Sequence, residues 1–379
     1  MSPYNVASLS MILTPEQICW DGLFPAAAAQ HDVSDFAGLH AGRSVLVTGA
    51  GGSIGSALAR TIHRFRPRCS VLIDSSEQAL YRIHSDLSNV GSQCHVPILG
   101  SVTDERCLRD SFEHHYPEIV YHAAAFKHVP LMEMDPFAVV ENNVFGISTL
   151  ATVSQRFGVE QLVMISTDKA VNPESIMGSS KRLAELVLMG VPAASTRMAS
   201  IRLGNVLGSE GSVVPLFLEQ IARGGPVTVT DPEVERYFLT VEETVHRVLS
   251  AAASCSGDEV IAIPVMGDPI KIADLARYLL EQASVKEVEI TYTGLRHGDK
   301  LQEQFISDRE SNMCGPVDAV QWVNSPSVPE GELAVALEEL DAALDEMNLS
   351  KLLNILIQLV PEYEPSAFLL QQAGAPAAH

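Results

Sequence analysis

The sequence predicts an α/β fold: a doubly wound parallel sheet with a smaller C-terminal α/β lobe. Two observations carry that prediction. Short apolar runs alternate with helix-patterned segments from Ser44 to Ile165, the repeat from which parallel β-α-β units are built. The first run also ends in a glycine cluster set directly before a helix pattern. Length and composition agree. The 379 residues, 46% of them hydrophobic, allow a sizeable core and two domains.

The elements follow in order. Residues 1–41 read as an extension, in which Thr14-Pro15-Glu16-Gln17 has the form of a helix start and Ala26 to Ala29 lead into a loop. Strands are expected at 44–48, 70–73, 95–99, 119–125, 161–165 and 199–203, with helices after 55, over 104–112 and within 137–157. Further strands are expected at 226–230, 259–264 and 287–292, and helices over 213–221, from 241, and over 270–282, 331–344 and 349–359. Leu333, Leu337, Leu340 and Leu344 repeat at four and three, the spacing of a packing face. The expected division is a nucleotide-binding domain over 42–205, rejoined by 232–265. A second lobe takes 206–231 and 266–365, and 366–379 form a disordered tail.

Composition excludes some classes. The net charge of −22 disfavours a nucleic-acid or anionic-membrane surface but leaves room for a few cationic side chains around an anionic small ligand. The six cysteines, at 19, 69, 94, 107, 255 and 314, show no metal-ligand spacing, so neither metal nor disulfide framework is expected. No apolar run approaches the roughly 18–20 residues of a membrane span, and no signal peptide is apparent.

The glycine cluster carries chemistry. Gly49, Gly52 and Gly55 let the backbone turn tightly and approach a pyrophosphate seated on the helix N-terminus, with Ser53 and Ile54 beside it. Asp74 ends the second strand about twenty residues on, placed to bind an adenosine ribose. It would repel a 2′-phosphate, so the expected cofactor is NAD. Ser75 beside it, and Ala123 and Ala124 at the end of the fourth strand, complete the set that makes this a Rossmann unit. Thr167-Asp168-Lys169 stand at the C-terminal end of a later strand, where ligands bind in open α/β sheets. Met177 and Lys181 are four apart on the next helix and share a face. The same residues could instead form an ordinary surface ion pair and a helix packing face. His122 reads as a core histidine.

Several longer runs resemble the extended short-chain dehydrogenase/reductase superfamily: Val45–Gly55, His122–Glu133 (HAAAFKHVPLME), Asn142–Gly146, Ser166–Pro173 (STDKAVNP), Arg202–Phe217, Gly225–Leu239 and Thr293–Lys300. Within it the chain is similar to the nucleotide-sugar 4,6-dehydratases of polysaccharide biosynthesis that act on UDP-N-acetylglucosamine. The resemblance implies a UDP-N-acetylhexosamine substrate and a homo-oligomer. It also implies a soluble, cytoplasmic catalytic module without the membrane region of larger members. Thr167, Asp168 and Lys169 would be the catalytic trio, and Lys181 would contact the nicotinamide ribose. Asn205 and Val214-Pro215-Leu216 would contact the nucleotide, Arg236 and Arg296 would grip its phosphates, and Lys127 falls in a matched motif. Met177 stands where the superfamily usually has Tyr, which implies the version that retains configuration at C5. Ser101, Phe126, His297 and Asp299 depart from the residues usual at their positions, and these departures bear on base and sugar recognition.

A dehydration of this kind oxidises C4, eliminates water across C5 and C6, and reduces C6, so NAD ends as it began. Elimination needs an acid, for which Asp168 is the candidate, and a base, for which Lys169 is. Desolvation, Lys181 and NAD+ would have to lower the Lys169 pKa. Met177 takes no proton, so the 4-hydroxyl would be deprotonated through Thr167 with Lys169 or through water. A 4-epimerase, an inverting dehydratase and a catalytically silent nucleotide-binding protein are the alternatives. The Thr167–Lys169 trio argues against the first and third, and Met177 against the second.

Overall fold

A computed structural model describes residues 14–20, 22–24, 32–91, 93–191, 196–257, 260–285, 287–313 and 319–374. Ala26 to Ala29 and Cys314 lie outside them. Seven parallel strands form the body of the sheet: β1 (Ser44–Thr48), β2 (Cys69–Asp74), β3 (His95–Leu99), β4 (Ile119–His122), β5 (Gln161–Thr167), β6 (Arg197–Leu203) and, further on, β11 (Ile261–Pro264). Between β6 and β11 come the short strands β7 (Asn205–Val206), β8 (Val227–Val229), β9 (Glu235–Arg236) and β10 (Phe238–Leu239). After it come β12 (Ile270–Lys271), β13 (Ile290–Tyr292), β14 (Ser311–Asn312) and β15 (Val320–Asn324).

The main sheet runs β14-β15-β11-β6-β5-β4-β1-β2-β3, with β15 antiparallel to β11 and β14 antiparallel to β15. Strand order reverses between β1 and β4, which opens a crevice at their C-terminal ends. The continuous apolar character of β1 matches its burial along every residue, as required of a strand covered on both faces. One face is packed by the helices Ser53–Arg64, Glu77–Val90 and Val241–Ser254. The other is packed by Glu105–His115, Gly146–Arg156 and Ile176–Gly190. The lobe has its own core, in which Val214, Phe217 and Ile221 meet Val227, Val229, Leu275 and Leu279. There β13 pairs with β8.

Three expectations need correction. Residues 311–324 were assigned to the lobe, yet β14 and β15 extend the main sheet. The helices Glu330–Asp345 and Leu349–Leu359 also leave the lobe and pack on the helix Ile176–Gly190. Leu333 and Leu340 are buried there, and Leu337 and Leu344 pack against the same cluster. The Leu-rich packing face is therefore covered within the chain. The third correction is the tail. Residues 367–372 are helical, Ser366 caps them by accepting the N–H of Leu369, and Leu369 is fully buried. No helix among the described residues is long and apolar enough to cross a membrane.

Candidate active site

Gly49 has φ +63°, and a Cβ there would lie 2.6 Å from the backbone nitrogen of Ala124. At Gly55 a Cβ would lie 2.0 Å from the carbonyl oxygen of Gly49. These two positions accept no side chain without moving the backbone, so the turn after β1 sits tight against the end of β4. Gly52 is the N-cap of the helix Ser53–Arg64 and supplies no side-chain cap. The first-turn N–H groups of that helix therefore face the crevice without a capping side chain, as a phosphate-binding helix start requires. Asp74 accepts the N–H of Gly51 at 2.8 Å through Oδ2 and that of Ser76 at 2.8 Å through Oδ1. It anchors the turn and retains lone pairs for a ribose.

A cleft of about 350 Å³ lies in front of this turn. It joins Gly52, Ser53, Ile54, Gly55 and Ala123 to Lys127, Thr167, Lys169, Met177, Lys181 and Asn205. Residues expected at two ends of a ligand thus share one cavity. Val213 lines it, whereas Val214 is fully buried and Leu216 is turned to solvent. Gly49, Asp74, Ser75, Ala124, Asp168, Pro215, Arg236 and Arg296 do not border it. Arg236 is buried and donates to the carbonyls of Glu235, Lys300 and Leu301. Arg296 is exposed and pairs with Asp299 at 2.8 Å. Neither guanidinium borders the cleft: backbone carbonyls hold one, and a loop carboxylate three residues away holds the other.

At the end of β5 the chain enters a short turn, Asp168–Ala170, and successive side chains converge. Asp168 is fully buried. Its Oδ1 accepts from Thr167 Oγ1 at 3.0 Å and from Lys169 Nζ at 2.9 Å, while its Oδ2 finds no partner in the protein. Lys169 Nζ also donates to Asn205 Oδ1 at 3.3 Å and stands 3.4 Å from Glu303 Oε1. Burial pushes its pKa down, but Asp168 and Glu303 together more than offset this and hold it above the ordinary lysine value, Arg236 acting the other way. The expected lowering is thus corrected, because the nearest charges are carboxylates.

Met177 and Lys181 lie on the helix Ile176–Gly190, buried from Ile176 to Leu188. Lys181 Nζ donates to the Ile165 carbonyl at 2.6 Å. Burial lowers its pKa to about 8, with Glu185 opposing. His122 is a core histidine whose Nδ1 meets Thr48 Oγ1 at 2.8 Å, and burial, then Lys181, lower its pKa to about 3.

Sequence reasoning missed three positioning groups. Asn143, in a π-helical stretch, accepts the Phe126 N–H at 2.9 Å, donates to the Phe126 carbonyl at 3.0 Å and donates to Ser180 Oγ at 2.9 Å. It ties the end of the HAAAF run to the Met177–Lys181 helix, and a π-bulge is a common mark of a functional site. Glu133 accepts the first N–H of that helix, from Ile176, at 2.8 Å, and its other oxygen accepts from Ser366. Glu303 is the third. Asn143 and Glu133 sit inside recognised motifs, which was the available signal, whereas Glu303 gave none.

The family model described as polysaccharide biosynthesis protein matches residues 45–324. The chain belongs to that family. It is 43% identical over 274 residues to the capsular polysaccharide biosynthesis protein CapD of Staphylococcus aureus, a match covering 71% of this chain and 46% of that one. It is 31% identical over 280 residues to an inverting UDP-N-acetylglucosamine 4,6-dehydratase of Campylobacter jejuni, covering 72% and 80%. The matched region spans about half the length of CapD and of a Bacillus subtilis relative, EpsC, at 46% and 47%. Among solved structures, a Streptomyces venezuelae dTDP-glucose 4,6-dehydratase with NAD bound superposes at TM-score 0.61 with 21% identity, covering 68% of this chain and 86% of that one. Pen from Bacillus thuringiensis does so at 0.69 with 23% identity, covering 80% and 99%. Both share the fold.

Proposed function

We propose that the protein is an NAD-dependent 4,6-dehydratase of a UDP-N-acetylhexosamine, UDP-N-acetylglucosamine first, that retains configuration at C5. The observation that carries this reading is the single cleft in which Thr167, Lys169, Met177 and Lys181 face the glycine turn. The similarity to UDP-N-acetylglucosamine dehydratases supports the sugar nucleotide. Similarity to UDP-glucose 4-epimerases at 28% identity supports the same substrate class without the elimination. Gly49, Gly52, Ser53, Ile54 and Gly55, with Asp74 beneath, would hold the dinucleotide, and Ala123 would leave room for a flat ring. Bound NAD would supply the hydride acceptor for C4 and the hydride donor for C6.

The chain's own residues would do the rest. Lys181 would fix the nicotinamide ribose from the floor of the cleft. Thr167 and Lys169 meet the sugar, and Asp168 stands behind both. Lys169 passes its proton to Asp168 Oδ1, to which it is hydrogen-bonded, takes the C5 hydrogen, and after exchange with solvent returns a proton to C5 when hydride reaches C6. Asp168 returns a proton to the departing C6 hydroxyl through Thr167 Oγ1, to which it is hydrogen-bonded. Met177 fills the position beside the C4 oxygen and takes no part in proton transfer. Retention rests on it, because no phenol stands there to direct the alternative outcome.

The test is product analysis. UDP-N-acetylglucosamine incubated with the protein and NAD should give a 4-keto-6-deoxy sugar by NMR, with ring couplings of the starting configuration at C5. A product that is the C4 epimer alone overturns the dehydratase reading, and inverted couplings at C5 overturn retention.

A further inference from the structure

Glu303 lies beyond every motif that marked the site, yet only 2% of its side chain is exposed and it is surrounded by cations. Its Oε1 stands 3.4 Å from Lys169 Nζ and 3.7 Å from Arg236 Nε, and its Oε2 stands 3.7 Å from Lys300 Nζ. Oε2 makes no hydrogen bond within the protein. A buried carboxylate with one unsatisfied oxygen is costly to keep for stability alone. Lys300 donates to the Val171 carbonyl at 2.6 Å, and Arg236 donates to the Lys300 carbonyl at 2.7 Å. Glu303 therefore closes a cluster that links the lobe strand β9, the 300–303 segment and the turn after β5.

We infer that Glu303 is a positioning residue for the acid–base pair, holding the Lys169 amine together with Asp168. Resting on the dehydratase reading, the inference adds a third carboxylate-or-amine member to a site that sequence motifs describe with two. The charged groups facing Lys169 are Asp168 on its own turn, Glu303 and Lys300 on the 300–303 segment and Arg236 on β9. Lys300 and, further out, Glu174 face Glu303. With two carboxylates on it the amine is a poor proton acceptor. Removing the charge of one eases its deprotonation, since an opposite charge within about 4–6 Å moves a pKa by 1–3 units. The same removal loosens the amine, so that fewer encounters place it at C5.

The experiment compares Glu303→Gln and Glu303→Asp with wild type through two readouts. The first is the titration of Lys169, followed by NMR after ¹³C-methylation of the lysines and assigned with Lys169→Arg. The expected result is a downward shift of about one pH unit in Glu303→Gln, with Glu303→Asp lying between. The second is turnover of UDP-N-acetylglucosamine against pH. In Glu303→Gln kcat falls about tenfold on the alkaline plateau with KM little changed, and the acid limb moves down with the lysine titration. An unmoved Lys169 titration in a folded Glu303→Gln protein overturns the inference, whatever the activity. If wild type leaves the sugar unchanged while the titration shifts, the positioning stands and the dehydratase reading is the part that fails. Should Glu303→Gln not fold, the Glu303→Asp titration decides, with an unmoved signal counting against the inference.

Discussion

Strand β5 ends between two buried ionic clusters, and they are built differently. Behind the strand, Ser166 donates to Glu185 Oε1 at 2.7 Å, and Arg202 meets Glu185 Oε2 at 2.8 Å and Glu310 Oε1 at 2.7 Å. Arg182 joins at 3.1 Å to Glu185, and Ser307 and Ser325 donate to Glu310. Every carboxylate oxygen in that cluster has a donor. Burial alone would raise the Glu310 pKa, but Arg202 and the other donors bring it to about 2. In front of the strand, Asp168 Oδ2 and Glu303 Oε2 have none, although both residues are just as buried. A satisfied network fixes a structure, whereas an unsatisfied one leaves groups available to exchange protons with a ligand. Consecutive residues make the divide: Ser166 points to the first cluster and Thr167 to the second, as the two-residue period of a strand requires.

The contrast can be broken most forcefully from the structural side. Arg202→Met strands Glu185 and Glu310 as buried anions, and it should cost about 3–5 kcal/mol in urea unfolding. A loss under 1 kcal/mol would remove the distinction. On the chemical side, Lys169→Ala and Asp168→Asn, each confirmed folded, should lower kcat on the order of 10²–10⁴-fold. Near-normal turnover in either variant would take that residue out of the reaction.

Lys181 sharpens the comparison through pH. Its folded pKa of about 8 lies below the usual lysine value near 10.4. The folded state therefore binds fewer protons than the unfolded state between those values, and stability from this group rises as pH climbs from about 8 to 10.4. Below pH 8 its burial penalty is complete, roughly 3 kcal/mol. Lys181→Met should be the more stable protein at pH 7, and the gap to wild type should close by pH 10. A gap that does not change with pH contradicts the assignment. The smallest effect belongs to Met177→Leu, a swap of similar volume at a buried position. It should cost under about 1.5 kcal/mol and leave kcat within a few-fold, as suits a side chain that transfers no proton. A large fall in kcat would give the thioether a chemical role.

Local signals made most of the fold legible. β1, the glycine turn and its helix lie within one short stretch, and the Met177–Lys181 spacing reads directly from helical periodicity. Asp74 and the Thr167–Lys169 trio stand at strand ends, where open sheets bind ligands, and that position is legible in the sequence. What escaped was whatever depends on distant partners. Nothing near Lys169 in sequence announces Glu303, so the raised pKa of that lysine is not legible there. The partners of Arg236 and Arg296 are not legible either: one is tied to carbonyls of a remote segment and the other to a carboxylate of its own loop. β15 looked like part of the lobe because an antiparallel edge strand carries no sign of which sheet it will join. Leu369 shows that a short apolar patch in a polar tail can still find a core.

The central claim is that the front cluster moves protons and the rear one holds the strand. It is tested most directly by deuterium at C5. Wild type and Lys169→Ala, each with NAD, are incubated with UDP-N-acetylglucosamine in deuterium oxide and followed by NMR. The account predicts that wild type places deuterium at C5 of a 4-keto-6-deoxy product, and that Lys169→Ala, though folded, places almost none. Equal incorporation by both proteins, or none by wild type, would contradict it.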